Sequence, residues 1–176
     1  MISILITGAA SGIGAATAKK LASREVSLTL TTKSNLEGLK SVTQFAENKG
    51  AKVSYICGDL SKKNFIEELV NLARSSTGNI DQFISNAGYA DKKEFGEYNN
   101  DDLNRSVQTM AISFSEIINL CIEDFKKSSC GRIIVISSFV NKLSLIHISE
   151  PTRHAQNSYA VFCLKKKVRS WIIKTI

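Results

Sequence analysis

The stretch Thr7-Gly8-Ala9-Ala10-Ser11-Gly12-Ile13-Gly14 sets three glycines between two segments of different character. Before it, Ile2-Ser3-Ile4-Leu5-Ile6 is short, apolar and rich in β-branched residues, the pattern of a buried strand. After it, residues 15–23 are rich in Ala, Leu and Lys and read as a helix. Strand, glycine turn, helix is the setting that a phosphate-binding loop requires. Gly8 permits the tight turn, Gly12 lets backbone approach a pyrophosphate with no Cβ in the way, and Gly14 lets the helix pack closely. The helix then offers free N–H groups and the positive end of its dipole. The glycine spacing is G-x-x-x-G-x-G rather than the commoner G-x-G-x-x-G, and on the loop alone an ordinary strand-to-helix turn stays open.

The rest of the chain repeats the alternation. Residues 26–31 are β-prone. Residues 35–48 read as a helix whose apolar face is Leu36, Leu39, Val42, Phe45 and Ala46, stopped by Gly50. Val53 to Cys57 is a third strand. Ser61 then caps a helix running to about Arg74, with Phe65, Ile66, Leu69, Val70 and Ala73 as its stripe. Ile80 to Ser85 is a fourth strand, residues 101–127 carry helix signals, and Arg132 to Ser137 is a fifth strand, apolar enough to be buried on both faces. Alternating strands and helices predict an α/β fold: a doubly wound, parallel, Rossmann-type sheet with right-handed crossovers. A ligand then sits at the carboxyl ends of the strands.

Composition narrows the function classes. At 176 residues the chain is one domain by length. Its 43% hydrophobic and 22% charged content is that of a soluble globular protein, with no run fit to span a bilayer and no basic leader, so a cytoplasmic location and no membrane partner are expected. The four cysteines lack metal-ligand or C-x-x-C spacing and read as buried free thiols. The net charge of +7 is uneven: residues 143–176 carry six basic and one acidic residue, leaving +2 for residues 1–142. The basic balance belongs to the tail, so no nucleic-acid partner is inferred from it.

Thr7, Gly8, Gly12 and Gly14 match every fixed position of T-G-x-x-x-G-x-G, and on that spacing the chain resembles the classical short-chain dehydrogenase/reductase family. Further segments agree. Asn86-Ala87-Gly88 follows the fourth strand as the family's N-A-G element does, and Gly131 to Ser138 resembles the segment that delivers the catalytic serine. The resemblance implies an oxidoreductase that moves a hydride between a nicotinamide cofactor and a small carbonyl or alcohol substrate. Thr7, Gly8, Ser11, Gly12, Ile13, Gly14, Asn86, Ala87 and Gly88 would line the cofactor site, and Ser138 would hydrogen-bond the substrate carbonyl. Asp59-Leu60 falls where the family contacts adenine; Asp59 could equally be a helix-start residue ahead of Ser61. The end of the second strand, Thr31-Thr32-Lys33, holds no carboxylate, and Lys33 lies where many NADP-using members place Arg. NADP is favoured over NAD, although Ser11 is not basic.

Three departures follow. The family's general acid is a tyrosine thirteen residues beyond the serine, with a lysine four residues later; here those positions are Pro151 and Ala155. Tyr159 is followed at i+4 by Cys163, and no register shift restores both residues. The family's asparagine on the preceding helix should fall near 108–110, which reads Gln108, Thr109, Met110, with Gln108 the possible substitute. Composition also changes after Lys142: the chain's Pro, Trp and both His lie beyond it. Leu143 to Arg153 and Ser158 to Lys167 resemble the in-frame translation of a transposase-type sequencing adapter. Residues 1–142 are therefore expected to be a dinucleotide-binding domain truncated after its fifth strand, and 143–176 a non-native tail. The chain itself would then be inactive, while its natural full-length form would be a homo-oligomer. A non-catalytic NAD(P)-binding sensor is the alternative.

Overall fold

A computed structural model describes residues 1–88, 93, 96–138, 159–167 and 170–175, with side chains as far as 137. Its centre is β1 (Ile2–Thr7), whose pleat sends Ile4 and Ile6 to one face and Leu5 to the other. Parallel partners flank it: β2 (Val26–Thr32) on one side and β4 (Gln82–Ser85) on the other, with β3 (Lys52–Cys57) beyond β2 and β5 (Arg132–Ser138) beyond β4. The strand order is thus β3-β2-β1-β4-β5 across the parallel part. Helices α1 (Gly12–Leu21) and α2 (Leu36–Asn48) lay Ala18, Leu39, Val42 and Ala46 against Ile4, Ile6, Leu28 and Leu30. On the opposite face, α3 (Lys63–Thr77) and α5 (Ser113–Lys127) bring Ile66, Leu69, Val70, Ile117, Cys121 and Phe125 onto Leu5, Phe83 and Ile133. Each large side chain buried here contributes about 1.5–3 kcal/mol. Arg74 ties the two helices together, giving Nε to Asp124 at 2.9 Å and a second guanidinium N–H to the Leu120 carbonyl at 2.7 Å.

The doubly wound sheet expected from the alternation is present, and its winding reverses between β1 and β4. Loops leaving those two strands diverge, which opens a crevice at their carboxyl ends.

Several local expectations change. α1 begins at Gly12, inside the glycine stretch. α3 is capped at Lys62 rather than Ser61, with no side-chain cap bond. The Asp59 carboxylate takes the Ser61 N–H at 2.9 Å and makes a turn there, so the helix starts later. β4 begins only at Gln82, because Asp81 is engaged with Ser3: its N–H donates to the Ser3 carbonyl and its carboxylate accepts the Ser3 N–H. Phe45 is 40% exposed, with the ammonium groups of Lys19 and Lys49 over its ring. In β5 Ile133 is buried, but residues 134–137 are half-buried. Of the described thiols, Cys121 is buried, Cys57 is exposed and Cys130 lies between.

The helix expected over 101–127 is interrupted. α4 (Asn100–Val107) passes into a π-helical turn, Gln108–Ile112, before α5. The cause is local. The Ser113 hydroxyl donates to the Thr109 carbonyl at 2.5 Å, the acceptor its own N–H would use in an α-helix. That N–H bonds Gln108 O instead, which is the π spacing.

Two antiparallel strands follow β5 where none was expected: β6 (Tyr159–Lys167) and β7 (Ser170–Thr175). Alone, the outer edge of β5 would present unpaired N–H and C=O groups, and Tyr159 to Leu164 is β-prone enough to pair with them.

Candidate functional site

The glycine loop is held in shape by the segment after β4. Thr7 is buried, and its Oγ1 accepts the N–H groups of Asn86 and Ala87, each at 3.1 Å. The Asn86 side chain answers by donating to the carbonyls of Thr7 at 3.2 Å and Gly8 at 2.9 Å. Four bonds therefore fasten the ends of β1 and β4 at the point where the sheet reverses. The glycines divide the remaining work. Gly8 has φ +67°, and a Cβ there would lie 2.9 Å from Ala87 Cα. At Gly14 a Cβ would sit 2.2 Å from Gly8 O and 2.5 Å from Asn86 Nδ2, so α1 comes this close only without a side chain. Gly12 differs: with φ +54°, a Cβ there would meet nothing within 4 Å. It faces open space.

A cleft of about 320 Å³ occupies that crevice. Gly8, Ala10 and Ser11 of the glycine loop line it together with Asn86, Ala87, Gly88 and Thr109, and Thr31, Thr32, Lys33, Gly58, Asp59 and Leu60 at the ends of β2 and β3 complete the lining. At its lip, α1 starts without a side-chain cap from Ser11, and Ala15 N–H is the first to reach back, to Ser11 O at 3.2 Å. The N–H groups of the first turn are thus left without a side-chain cap, with the positive end of the helix dipole behind them. In the wall, the Thr31 hydroxyl is buried and has no hydrogen-bond partner among the described residues.

The charged corner departs from the expectation. Lys33 and Asp59, assigned to different parts of a ligand, are bonded to each other, Nζ to Oδ2 at 2.7 Å. The Lys33 ammonium beside Asp59 holds its carboxyl down to about 2. Asp59 therefore acts on the turn ahead of α3 through Oδ1 and on Lys33 through Oδ2.

Of the sequence-assigned residues, Gly8, Ser11, Lys33, Asp59, Leu60, Asn86, Ala87 and Gly88 line the cleft together. Thr7 and Gly14 stand behind it as supports, while Gly12 and Ile13 open α1. Ser138 ends β5, with its backbone opposite Tyr159 of β6. Pro151 and Ala155 lie outside the described residues. Ala10, Thr31, Thr32, Gly58 and Thr109 were missed as lining residues. For Thr109 a signal existed: it lies in the window expected to hold an asparagine, but Gln108 was the residue singled out there. Thr109, the second residue of the π turn, lines the cleft, and Gln108 does not. Among the described residues, no cluster of His, Cys, Asp or Glu could hold a metal, and no helix is long and apolar enough to cross a membrane.

A sequence model of the short chain dehydrogenase family matches residues 3–150, from β1 through β5. The chain belongs to that family. Among short-chain dehydrogenases it is 27% identical over 139 residues to the ketoacyl reductase HetN of Nostoc, a match covering 79% of this chain and 48% of that protein. It is 28% identical over 133 residues to the NADPH-dependent reductase BacG of Bacillus subtilis, covering 74% of this chain and 51% of that one. A solved short-chain dehydrogenase/reductase variant from Serratia marcescens superposes with a TM-score of 0.71 at 28% identity, over 77% of this chain and 55% of that chain. The chain spans about half the length of the curated relatives it matches.

Proposed function

We propose that the cleft binds a nicotinamide dinucleotide, NADP(H) in preference to NAD(H), and that the natural protein reduces a small carbonyl compound or oxidises an alcohol. The observation that carries this reading is the pairing of Gly12 with α1: a positive-φ glycine facing open space at a helix start whose side-chain cap is missing. That cradle fits a pyrophosphate, which would take the N–H groups that Ser11 leaves free. Lys33 supplies a cation, and β2 ends without a carboxylate to repel a 2′-phosphate. The NADPH dependence of BacG agrees with this choice. The bound nicotinamide would supply the hydride chemistry. The chain's own residues bind and orient: Asn86 and Thr7 fix the cleft floor, and Ser138 at the end of β5 would hydrogen-bond the substrate carbonyl. The family match stops at residue 150, one short of Pro151, where the resemblance calls for the general acid. With Pro151 and Ala155 at the tyrosine and lysine positions, this chain binds the dinucleotide and does not turn over.

The same positions favour a second reading, a dinucleotide-binding sensor that has no general acid at all. Titration of the purified chain with NADPH, followed by cofactor fluorescence beside an assay for carbonyl reduction, tests the first claim. Saturable binding without turnover is expected; absence of binding refutes it, and turnover refutes the assignment of the acid. Resequencing the source gene across codons 140–176 separates the two readings. A frame that runs from Lys142 into a Tyr-x-x-x-Lys helix makes the protein a reductase and residues 143–176 an adapter-derived tail. A confirmed tail leaves the sensor.

A further inference from the structure

The Lys33–Asp59 pair spans the side of the cleft formed by the ends of β2 and β3, and its two members are held differently. Asp59 is anchored: Oδ1 takes the Ser61 N–H at 2.9 Å, which ties the carboxylate to the turn ahead of α3. Lys33 is fixed only at its backbone, where its carbonyl accepts the Cys57 thiol at 3.2 Å and the neighbouring Thr32 carbonyl accepts the Gly58 N–H at 2.9 Å. Its side chain is 59% exposed, and a flexible stem carries the ammonium. A cation on a long, exposed stem is thus paired with a backbone-anchored carboxylate beside the binding cleft.

We infer that Asp59 is a specificity-determining residue of this cleft: by holding Lys33, it competes with the 2′-phosphate of an incoming dinucleotide and lowers the preference for NADP(H) over NAD(H). The inference rests on the dinucleotide-binding reading above. A ligand carrying a 2′-phosphate gains Lys33 only by drawing it off Asp59, and it leaves that carboxylate unpaired nearby. A ligand with a free 2′-hydroxyl offers the ammonium no anion, so the ion pair stays closed. The exchange of one anionic partner for another returns only part of a charge-assisted hydrogen bond. A contact between Asp59 and the adenine amino group would be common to both ligands and cancels in their ratio.

The test is the ratio of NADPH to NADH affinity, measured on the full chain at neutral pH by fluorescence titration and calorimetry. Asp59→Asn keeps an oxygen for the Ser61 N–H and removes the charge. Freed of an exposed ion pair, Lys33 should raise the ratio about three- to fivefold. Lys33→Met removes the cation and leaves the carboxylate bare, and the ratio should fall about tenfold or more. A purely structural role for Asp59 would weaken both ligands together and leave the ratio where it was. An unchanged or lowered ratio in Asp59→Asn, with both ligands still bound, overturns the inference alone. Failure of the unmutated chain to bind either dinucleotide overturns the proposed function and this inference with it.

Discussion

Replacing Thr7 by Val isolates the fastening between β1 and β4. The two side chains are nearly isosteric, so the buried position keeps its volume and the change removes one acceptor oxygen. That oxygen serves two donors, the N–H groups of Asn86 and Ala87, each at 3.1 Å. Both residues are half-buried, so water can reach part of what is lost. An unsatisfied buried donor costs about 1–3 kcal/mol. Taking the low end for each donor because of partial exposure, Thr7→Val should destabilise the fold by about 2–3 kcal/mol. For a domain of this length each kcal/mol moves Tm by about 2–4 °C, which gives a drop of about 4–12 °C. Thr7→Ser is the control: it keeps the oxygen, loses one methyl, and should cost about 1 kcal/mol or less. Urea denaturation monitored by circular dichroism gives both values, and unchanged m-values confirm that the same surface unfolds. A Thr7→Val chain within 0.5 kcal/mol of the parent, or one no less stable than Thr7→Ser, would refute the view that this hydroxyl locks the sheet reversal.

The two glycines of α1 should separate stability from binding. Gly14→Ala drives a methyl to 2.2 Å from Gly8 O, an overpacking that should cost about 1–3 kcal/mol and lower Tm. Gly12→Ala meets no protein atom, so its stability loss should be limited to the left-handed backbone, about 1–2 kcal/mol. Dinucleotide affinity should nonetheless fall at least tenfold, as titration with NADPH will show, because the methyl fills the cradle. Acid should release the Lys33–Asp59 pair. The Asp59 carboxyl is lowered from 3.8 to about 2 in the folded chain, so the stability it contributes is present above about pH 4 and is lost as pH falls toward 2. For so exposed a pair the loss should stay below about 1 kcal/mol, and it should shrink in Lys33→Met, where only the Ser61 hydrogen bonds still favour the carboxylate, when the two chains are denatured in parallel at pH 5 and pH 3.

What the sequence makes legible follows from where the physics is local. β1 announces itself because its side chains meet core on both faces, so Ile4, Leu5 and Ile6 form an unbroken apolar run. The glycine loop is legible for the same kind of reason: a positive φ at Gly8 and a collision at Gly14 are constraints that one residue type satisfies. The π turn is not legible, because it arises from a single hydroxyl choosing the Thr109 carbonyl. A serine at that place in a helix pattern gives no sign of whether its side chain turns inward or outward. Nor is the union of Lys33 with Asp59. The two residues are 26 positions apart, and each was readable as a separate ligand contact. Only the parallel register that sets Thr32 beside Cys57 brings them within reach of each other. The strands after β5 were missed because that segment reads as foreign to the fold. An open sheet edge accepts any β-prone partner, whatever the origin of its sequence.

The site's parts thereby divide into a rigid cradle and an adjustable corner. Thr7, Asn86, Gly8 and Gly14 interlock through side-chain-to-backbone hydrogen bonds and contacts that exclude even a methyl group, so the glycine-loop wall of the cleft is fixed before any ligand arrives. Affinity common to both dinucleotides should come from there, with little ordering entropy left to lose. The β2–β3 side works the other way. Its cation is on a mobile stem, it already has a partner, and choosing between a 2′-phosphate and a 2′-hydroxyl depends on whether that partner lets go. Substitutions in the cradle should therefore weaken NADPH and NADH alike, whereas substitutions at Lys33 or Asp59 should move one against the other. A cradle variant such as Gly12→Ala that changed the ratio of the two affinities would contradict this division, because a methyl added at Gly12 touches neither Lys33 nor Asp59.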